Sequence, residues 1–312
     1  MLQQTQVSTV IGYYDRFLRR FPDVRALAAA PLEEVLQCWA GLGYYARARM
    51  AHRCAQAVAG HEGARFPGTA AELEQLPGIG PSTAAAIAAF CFGERAAILD
   101  ANVKRVLARY RAIDGDPKRP AVLARLWEAA HELLPPAHDI ARYTQGIMDL
   151  GATVCTRSRP QCPACPVRGG CQARLQGRTA ELPERSPAGA RPERRLHLLV
   201  ALHRGAVLVE ERPPTGIWGG LLSLPEFAQV QALQHAAHVL GAGALETLPE
   251  RQHGFTHFTL AVTPHLARLA DARFTGAAAH DPASRRWLPL AQVEAAALPA
   301  PIRSLLREIR DA

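Results

Sequence analysis

The loop Cys155-Thr-Arg-Ser-Arg-Pro-Gln-Cys162-Pro-Ala-Cys165-Pro-Val-Arg-Gly-Gly-Cys171 places four of the chain's seven cysteines in one short stretch. Disulfides explain this crowding poorly, because the count is odd and the other three cysteines are scattered through helix-like apolar segments. Thiolates bind both zinc and iron–sulfur clusters. Four-cysteine zinc sites more often combine two Cys-x2-Cys pairs, and this loop has only one. The pattern therefore favours an iron–sulfur cluster over zinc.

Apolar residues recur at helical spacing from residue 1 to about 172, and Gly or Pro stands where a helix would stop. This pattern predicts an all-α domain over 1–172, with the cysteine loop 155–171 at its end. A first helix is ended by Pro22, and a second is opened by Pro31. The further predicted helices are 46–59, 69–76, 82–92, 102–111, 120–134 and 139–151.

Residues 173–194 are rich in Arg and Pro and poor in apolar side chains, so they predict an interdomain linker. Beyond it, two apolar runs flank His203-Arg204-Gly205 as a hairpin would, and alternation around Leu260 indicates another strand. Helical spacing returns at 228–240 and 301–310. We therefore predict a second domain of α+β class over 195–312.

The formal net charge is +8 and the sequence pI is about 9.4, which favours a polyanionic partner such as DNA. The longest apolar run, Ala84–Phe92, is too short to span a bilayer, and the first residues lack the pattern of a secretion signal. We therefore expect a soluble, cytoplasmic monomer with no membrane partner.

Two stretches of the helical domain carry candidate functional residues. In Leu76-Pro-Gly-Ile-Gly-Pro-Ser-Thr-Ala84, Gly78 and Gly80 are expected to take positive φ and to let the backbone approach a phosphate at the start of the next helix. Asp100 directly precedes a helix, where a carboxylate commonly caps the free N–H groups. Capping and catalysis are both compatible with this position.

These motifs and the cysteine spacing resemble the helix-hairpin-helix superfamily of base-excision DNA glycosylases, which includes endonuclease III and the adenine DNA glycosylases. The resemblance implies a [4Fe-4S] cluster bound by Cys155, Cys162, Cys165 and Cys171. It also implies that Asp100 is the catalytic carboxylate, which stabilises the positive charge on a sugar that is losing its base. It places Gly78, Gly80 and Ser82 among the contacts with DNA. Bifunctional relatives have a lysine at the position of Ser82, and serine cannot form a Schiff base. The expected enzyme is therefore a monofunctional glycosylase.

Two further stretches, Leu2–Gln6 and Gly41–Arg49, resemble the adenine DNA glycosylase family in particular. An enzyme that extrudes a base must fill the vacated stack, and the resemblance assigns this role to Gln4 and Tyr44.

The same resemblance assigns contacts with the opposite base to Thr5 and Leu42. Gln145 matches a residue of the family that contacts the extruded adenine.

In the C-terminal domain, Trp218-Gly-Gly-Leu221 and Phe255-Thr256-His257 resemble the Nudix-like domain with which adenine glycosylases recognise 8-oxoguanine. Phe255, Thr256 and His257 are the implied contacts with DNA. Active Nudix hydrolases hold divalent metal with several glutamates, whereas Glu226 is the only Glu between Arg212 and Leu245. This domain is therefore expected to recognise the lesion and not to hydrolyse nucleotides.

The family's general acid is a glutamate two residues before the methionine that matches Met1, so we expect it upstream of Met1.

Three hypotheses follow. The first is a monofunctional glycosylase that removes adenine mispaired with 8-oxoguanine or guanine in double-stranded DNA. The second is a catalytically impaired lesion-binding fragment of that enzyme. The third, disfavoured by Ser82, is an endonuclease III-like glycosylase with lyase activity.

Overall fold

The protein is described by a computed structural model of the 312-residue chain. The described residues are 1–2, 5, 7–184, 186, 191–255, 257–270 and 285–311. The polypeptide divides into two compact units, which are treated separately below. One comprises Met1–Gln56 together with Gly189–Ala312, and the other comprises Ala57–Ala188.

The regular secondary structure described within residues 1–172 is helical, as predicted, and no described residue in that range lies in a strand. None of the described helices is long and apolar enough to cross a membrane. The helices are α1 Val7–Arg20, α2 Val24–Ala29, α3 Leu32–Trp39, α4 Ala46–Ala59, α5 Ala70–Leu73, α6 Pro81–Ile87, α7 Ala101–Tyr110, α8 Pro120–Glu132, α9 Ile140–Asp149, α10 Gln172–Leu175, α11 Val230–Val239 and α12 Ala300–Asp311. Wider π-helical turns, Ala88–Phe92 and Leu150–Val154, continue α6 and α9.

Two short helices, α10 and α2, were not predicted, and α2 shows the reason. It has six residues and is capped by Asp23, whose Oδ1 accepts a hydrogen bond of 2.8 Å from the N–H of Ala26. A helix this short has too few residues to display a helical period, so the capping residue is its only clear signal in the sequence.

The unit Ala57–Ala188 is built around α7, α8 and α9. Val103 and Leu107 of α7 and Leu126 of α8 are almost completely buried in its core. Where α9 ends, the backbone passes so close to α7 that a Cβ added to Gly151 would lie 2.7 Å from the Cβ of Asn102. This close approach brings the end of α9, and the cysteine loop that follows it, against α7.

The segment that follows the cysteine loop differs from the predicted linker. Leu182 is only 1% exposed, and its carbonyl accepts a hydrogen bond of 2.8 Å from Nε of Arg109. Further along, Ser186 donates from its hydroxyl and its N–H to Oδ2 of Asp116. The predicted linker of 173–194 is therefore packed on the helical unit as far as residue 186. The polar composition of this segment did not indicate the packing, because the segment is held by hydrogen bonds and by one buried leucine.

The other unit contains a mixed β-sheet. Its strands are β1 Glu193–His203, β2 Ala206–Glu211, β3 Leu222–Ser223, β4 Glu226–Phe227, β5 Glu246–Thr247, β6 Arg251–Gly254, β7 Thr259–Arg268 and β8 Arg285–Pro289. The central path runs β3-β2-β1-β7-β5, while β4 pairs with β1, β6 with β7 and β8 with β2. The long central pair, β1 and β7, is parallel, with Glu193 opposite Thr259 and Leu202 opposite Arg268.

The predicted hairpin between β1 and β2 is present, although His203, which was predicted in the turn, lies in β1. His203 pairs with Ala206, and the two connecting residues, Arg204 and Gly205, have φ of 46° and 74°. Two consecutive residues with positive φ are the signature of the tight turn that matches the twist of hairpin strands.

Both faces of the sheet are covered. On one face Leu199 and Ala201 pack against Leu233 of α11. The other face, which includes Val200, belongs to a larger apolar cluster that also contains Leu36 of α3 and residues of α1 and α12. Helices α1 to α3 therefore share a core with the sheet, whereas we predicted them within one helical domain of 1–172.

Candidate active site and cysteine cavity

Asp100 lies at the amino end of α7 and caps it. Its Oδ1 accepts a hydrogen bond of 2.7 Å from the N–H of Val103. No hydrogen bond of Oδ2 is found within the described part of the protein. The carboxylate is half-buried and also benefits from the positive end of the helix dipole. One oxygen of Asp100 thus holds it in place, and the other has no described hydrogen-bond partner.

Ser82 supports the same site from a neighbouring helix. Its Oγ accepts a hydrogen bond of 3.1 Å from the N–H of Leu99, the residue directly before Asp100. We expected Ser82 to contact DNA. In the structure its hydroxyl ties the first turn of α6 to the segment that carries the carboxylate, and its contact with DNA stays a prediction.

The turn before α6 has only one of the two expected positive φ angles. Gly78 has a φ of 78°, as predicted, but Gly80 has a φ of −93° and a ψ of 173°. The prediction for Gly80 was wrong because this residue is the N-cap of α6, and N-caps take extended dihedrals. A Cβ at Gly80 would meet no described atom within 4 Å, so the turn leaves open space at this point.

Helix α7 joins Asp100 to the cysteine loop. Arg105, a little over one turn after Asp100, donates to the carbonyls of Gly151 at 2.7 Å and Cys155 at 2.8 Å. It also donates to Oδ1 of Asn102 at 2.8 Å. One face of α7 is thereby bound to the beginning of the loop.

The four loop cysteines line one cavity that is open to solvent. The other cavity walls include Arg109, Arg168 and Arg174. The loop packs closely on α7, because a Cβ added to Gly170 would lie 2.7 Å from the hydroxyl of Tyr110. Burial and the neighbouring loop thiols raise the pKa of the Cys171 thiol.

Arg109 is buried beside this cavity, with only 3% of its surface exposed. Its Nε donates to Leu182 O at 2.8 Å, Nη1 to Thr156 O at 2.8 Å and to Cys155 Sγ at 3.3 Å, and Nη2 to Arg157 O at 3.2 Å. No carboxylate among the described residues pairs with it. A buried guanidinium without an anion is costly, so the environment of Arg109 calls for negative charge in the cavity.

Within the described ranges, no group of three or more His, Cys, Asp or Glu side chains is arranged so that it could hold a metal ion. The loop cysteines are distributed around the cavity wall. The donor set, four thiols and a nearby buried cation, fits an anionic thiolate-bound group that fills the cavity.

In the unit that contains the sheet, Tyr44 is presented to solvent by a strained loop. Tyr44 is 50% exposed, although its φ is 49°, a left-handed value that is uncommon for a residue other than glycine. The guanidinium of Arg47 lies 5.3 Å from the centroid of its ring and 5.5 Å from that of Trp39. Strain of this kind is often kept where an exposed side chain has a function.

The other predicted contacts near Tyr44 have different outcomes. Thr5 accepts a hydrogen bond of 3.1 Å from Nη2 of Arg47, so it lies near the Tyr44 loop. Leu42 is only 6% exposed and its side chain belongs to the apolar core, while its contact with the opposite base stays a prediction. The alternation of Leu42 with Gly41 and Gly43 did not reveal which way its side chain turns. Gln4 lies outside the described residues.

In the same unit, Trp218 and Phe255 belong to one aromatic cluster. Their ring centroids are 5.8 Å apart, and His253 meets Phe255 edge-on at 4.8 Å. Phe258 stacks on Phe255, with ring centroids 4.6 Å apart. Burial lowers the pKa of His253, which keeps its imidazole neutral at neutral pH. The cluster supports the loop on which His257 is exposed, while Thr256 lies outside the described residues.

Gln145, the predicted adenine contact, lies on α9 and is exposed. Its amide nitrogen donates to Asp149 at 2.8 Å. Three residues that organise the sites were not predicted: Arg105 and Arg109, which hold the cysteine loop, and His253, which packs on Phe255. The spacing of Arg105 and Arg109 places them on one face of α7, and this was the only signal for the pair in the sequence.

Comparison with known proteins agrees with both folds. Residues 1–132 match the HhH-GPD superfamily of base excision DNA repair proteins, and residues 197–308 match the NUDIX domain. A solved structure of a thermostable thymine-DNA glycosylase is similar with a TM-score of 0.50 and 28% identity, over 56% of this protein and 80% of that one. The helical glycosylase fold and the Nudix-like fold are thus confirmed.

Curated relatives extend the match over most of the sequence. The adenine DNA glycosylase of Buchnera aphidicola subsp. Baizongia pistaciae is 34% identical, over 85% of this sequence and 75% of that protein. The adenine DNA glycosylase of Mus musculus is 36% identical, over 100% of this sequence and 70% of that protein. From the helix-hairpin-helix and Nudix-like folds and these relatives together, the chain belongs to the adenine DNA glycosylase family of base excision repair.

Proposed function

We propose that the protein removes adenine paired with 8-oxoguanine or guanine in double-stranded DNA. The observation that carries this proposal is Asp100, which is fixed by its cap to α7 through Oδ1 and has no described partner at Oδ2. A sugar that loses its base develops positive charge, which a fixed carboxylate stabilises. Asp100 is the proposed source of that stabilisation.

The proposed reaction uses water and leaves the DNA strand intact. A lyase would need an amine nucleophile at the position of Ser82. The hydroxyl of Ser82 accepts the N–H of Leu99 and so has a positioning role beside Asp100. Breakage of the product strand would therefore require later treatment with hot alkali.

Recognition of the mispair is assigned to the unit that contains the sheet. Tyr44 is exposed on a strained loop, which suits a flat side chain that enters a base stack. Phe255 and His257 lie on a loop supported by Trp218 and His253. A loop that is already supported by packed aromatic side chains loses less conformational entropy when it binds a lesion.

The test is the release of free adenine from duplexes that contain adenine opposite 8-oxoguanine, guanine or thymine. We expect release opposite the first two and none opposite thymine. The assay uses the 312-residue protein. Asp100→Asn should slow release by about 10²- to 10³-fold, as the loss of an electrostatic stabiliser commonly does.

The control is Asp114→Asn, which removes an exposed carboxylate paired with Arg178 in the same unit and should leave release unchanged. Selective binding of the mispaired duplex without release of adenine would support the lesion-binding hypothesis instead. Strand breakage that accompanies base release would support the lyase hypothesis.

We also propose that Cys155, Cys162, Cys165 and Cys171 bind a [4Fe-4S] cluster. The proposal is supported by the shared cavity and by Arg109, a buried cation with no described carboxylate partner. When bound, the cluster would cross-link the loop and supply a redox-active centre. Arg157, Arg159 and Arg168 on the loop would then be held in position to meet DNA phosphates.

The cluster proposal predicts that the purified protein is brown, with broad visible absorbance that bleaches as iron is lost. Iron and acid-labile sulfide should each approach about four per protein molecule. A colourless protein with stoichiometric zinc would contradict this proposal and leave the proposed base removal open to its own test.

A further inference from the structure

We infer that Arg109 is the counter-cation of the cysteine loop and raises the reduction potential of the group that the loop binds. The inference rests on the proposed [4Fe-4S] cluster and deepens it. Arg109 would act through charge and hydrogen bonds at the ligand sulfur, and it is therefore a positioning and tuning residue.

The hydrogen bonds of Arg109 place its charge at the wall of the cavity. Three of its described bonds go to backbone carbonyls, those of Thr156, Arg157 and Leu182. The fourth goes to Sγ of Cys155 at 3.3 Å. The carbonyls align the guanidinium, and the bond to sulfur is the one that contacts a metal ligand directly.

Burial makes this charge effective. Arg109 is 3% exposed, so water screens it little, and no carboxylate in the described part of the protein neutralises it. Arg168 and Arg174 also line the cavity, but both are exposed. Of the cavity's three described arginines, Arg109 is thus the one whose charge is strongest at the ligands.

The loop provides the missing negative charge once its cysteines are deprotonated. Four thiolates make the cluster and its ligands net negative, and one-electron reduction makes them more so. A fixed cation favours the more negative state and raises the reduction potential. Hydrogen bonds to the cluster's sulfurs are recognised as controls of that potential.

Helix α7 places this cation without exposing it. Arg109 lies two to three turns after Asp100 on the same helix, and Arg105 binds the loop between them. The guanidinium also holds Leu182, the buried residue of the segment after the loop. The side chain of Arg109 therefore closes one side of the cavity and gives that side a positive charge.

The test compares Arg109→Gln, which removes the charge, with Arg109→Lys, which keeps it but loses the planar fork. The 312-residue protein is purified with its bound iron, and the reduction potential is measured by voltammetry, with iron content as a second readout. Arg111→Gln is the matched control, because it removes an exposed arginine directly after α7 that pairs with Glu132.

We expect the potential to shift to more negative values in Arg109→Gln, and to remain nearer the original value in Arg109→Lys and Arg111→Gln. If Arg109→Gln retains too little iron for voltammetry, the rate of bleaching in air replaces the potential, and Arg109→Lys should then bleach more slowly. Equal values in the two Arg109 variants would overturn the inference, because a purely structural role does not depend on charge. A colourless, zinc-containing wild-type protein would instead overturn the proposed cofactor.

Discussion

Two aspartates of the unit Ala57–Ala188, Asp116 and Asp100, accept hydrogen bonds from backbone N–H groups. They differ in how many of their carboxylate oxygens have a described hydrogen-bond partner. Asp116 uses both oxygens: Oδ1 binds the N–H of Lys118, and Oδ2 binds the hydroxyl and N–H of Ser186. Asp100 uses only Oδ1 among its described contacts. The comparison identifies Asp116 as a structural carboxylate and leaves Asp100 as the one with bonding capacity for a substrate.

Asp116 should make the stability of the protein depend on pH at the acid end. The N–H of Lys118, followed by the hydroxyl and N–H of Ser186, lowers the pKa of Asp116 to about 2. Because the pKa is depressed in the folded state, this stabilisation is present above the usual aspartate pKa and is lost as pH falls through the folded value.

We therefore expect Asp116→Asn to lower the free energy of unfolding at about pH 5 to 7, and the difference from the wild type to shrink between about pH 4 and pH 2. Urea unfolding at a series of pH values measures this. Ser186→Ala, which removes one of the three hydrogen bonds, should show a smaller difference with the same dependence on pH. A difference that stays constant down to about pH 2 would contradict the assigned role.

Helices α7 and α9 meet at a contact that only glycine allows. A Cβ at Gly151 would lie 2.7 Å from Cβ of Asn102 and 3.2 Å from both the carbonyl carbon and the carbonyl oxygen of that residue. Backbone atoms cannot move aside as a flexible side group can. We expect Gly151→Ala to lower the free energy of unfolding by about 1–3 kcal/mol, the usual cost of overpacking.

The matched control is Gly146→Ala in α9, where an added Cβ would meet no atom within 4 Å. It should leave stability unchanged or raise it by up to about 1 kcal/mol, since alanine is the better helix former. Chemical unfolding of both variants makes the comparison. Equal stabilities would show that the two helices separate more easily than the structure indicates.

Helix α7 links the proposed chemistry to the cysteine loop. Asp100 caps its amino end, and Arg105 and Arg109 on one face hold the loop and the segment after it. Binding of a cluster in the loop would therefore stiffen the helix that positions the carboxylate. An iron–sulfur group can support base excision in this way without taking part in the chemical step.

For the molecule as a whole, the two compact units do not follow the predicted boundary at residue 172. Residues Met1–Gln56 group with Gly189–Ala312, because α1 and α3 share an apolar core with one face of the sheet. An amphipathic helix shows which face it buries, but its sequence does not show which element covers that face. The boundary therefore could not be read from periodicity.

Features set by short separations along the sequence were predictable. The cysteine spacing, the aspartate before α7, the main helices and the Arg204-Gly205 hairpin all depend on residues a few positions apart, where capping, turn geometry and helical period leave clear patterns.

Features that join distant residues were decided by the tertiary structure. They include the parallel pairing of β1 with β7, the burial of Leu42 and the packing of Phe255 against His253 and Phe258. The clearest case is Arg109, which in sequence is one arginine among many. Only when the loop and Leu182 fold around it does it become a buried charge beside four cysteines, with no carboxylate partner among the described residues. Burial and pairing belong to the folded environment and not to the residue type.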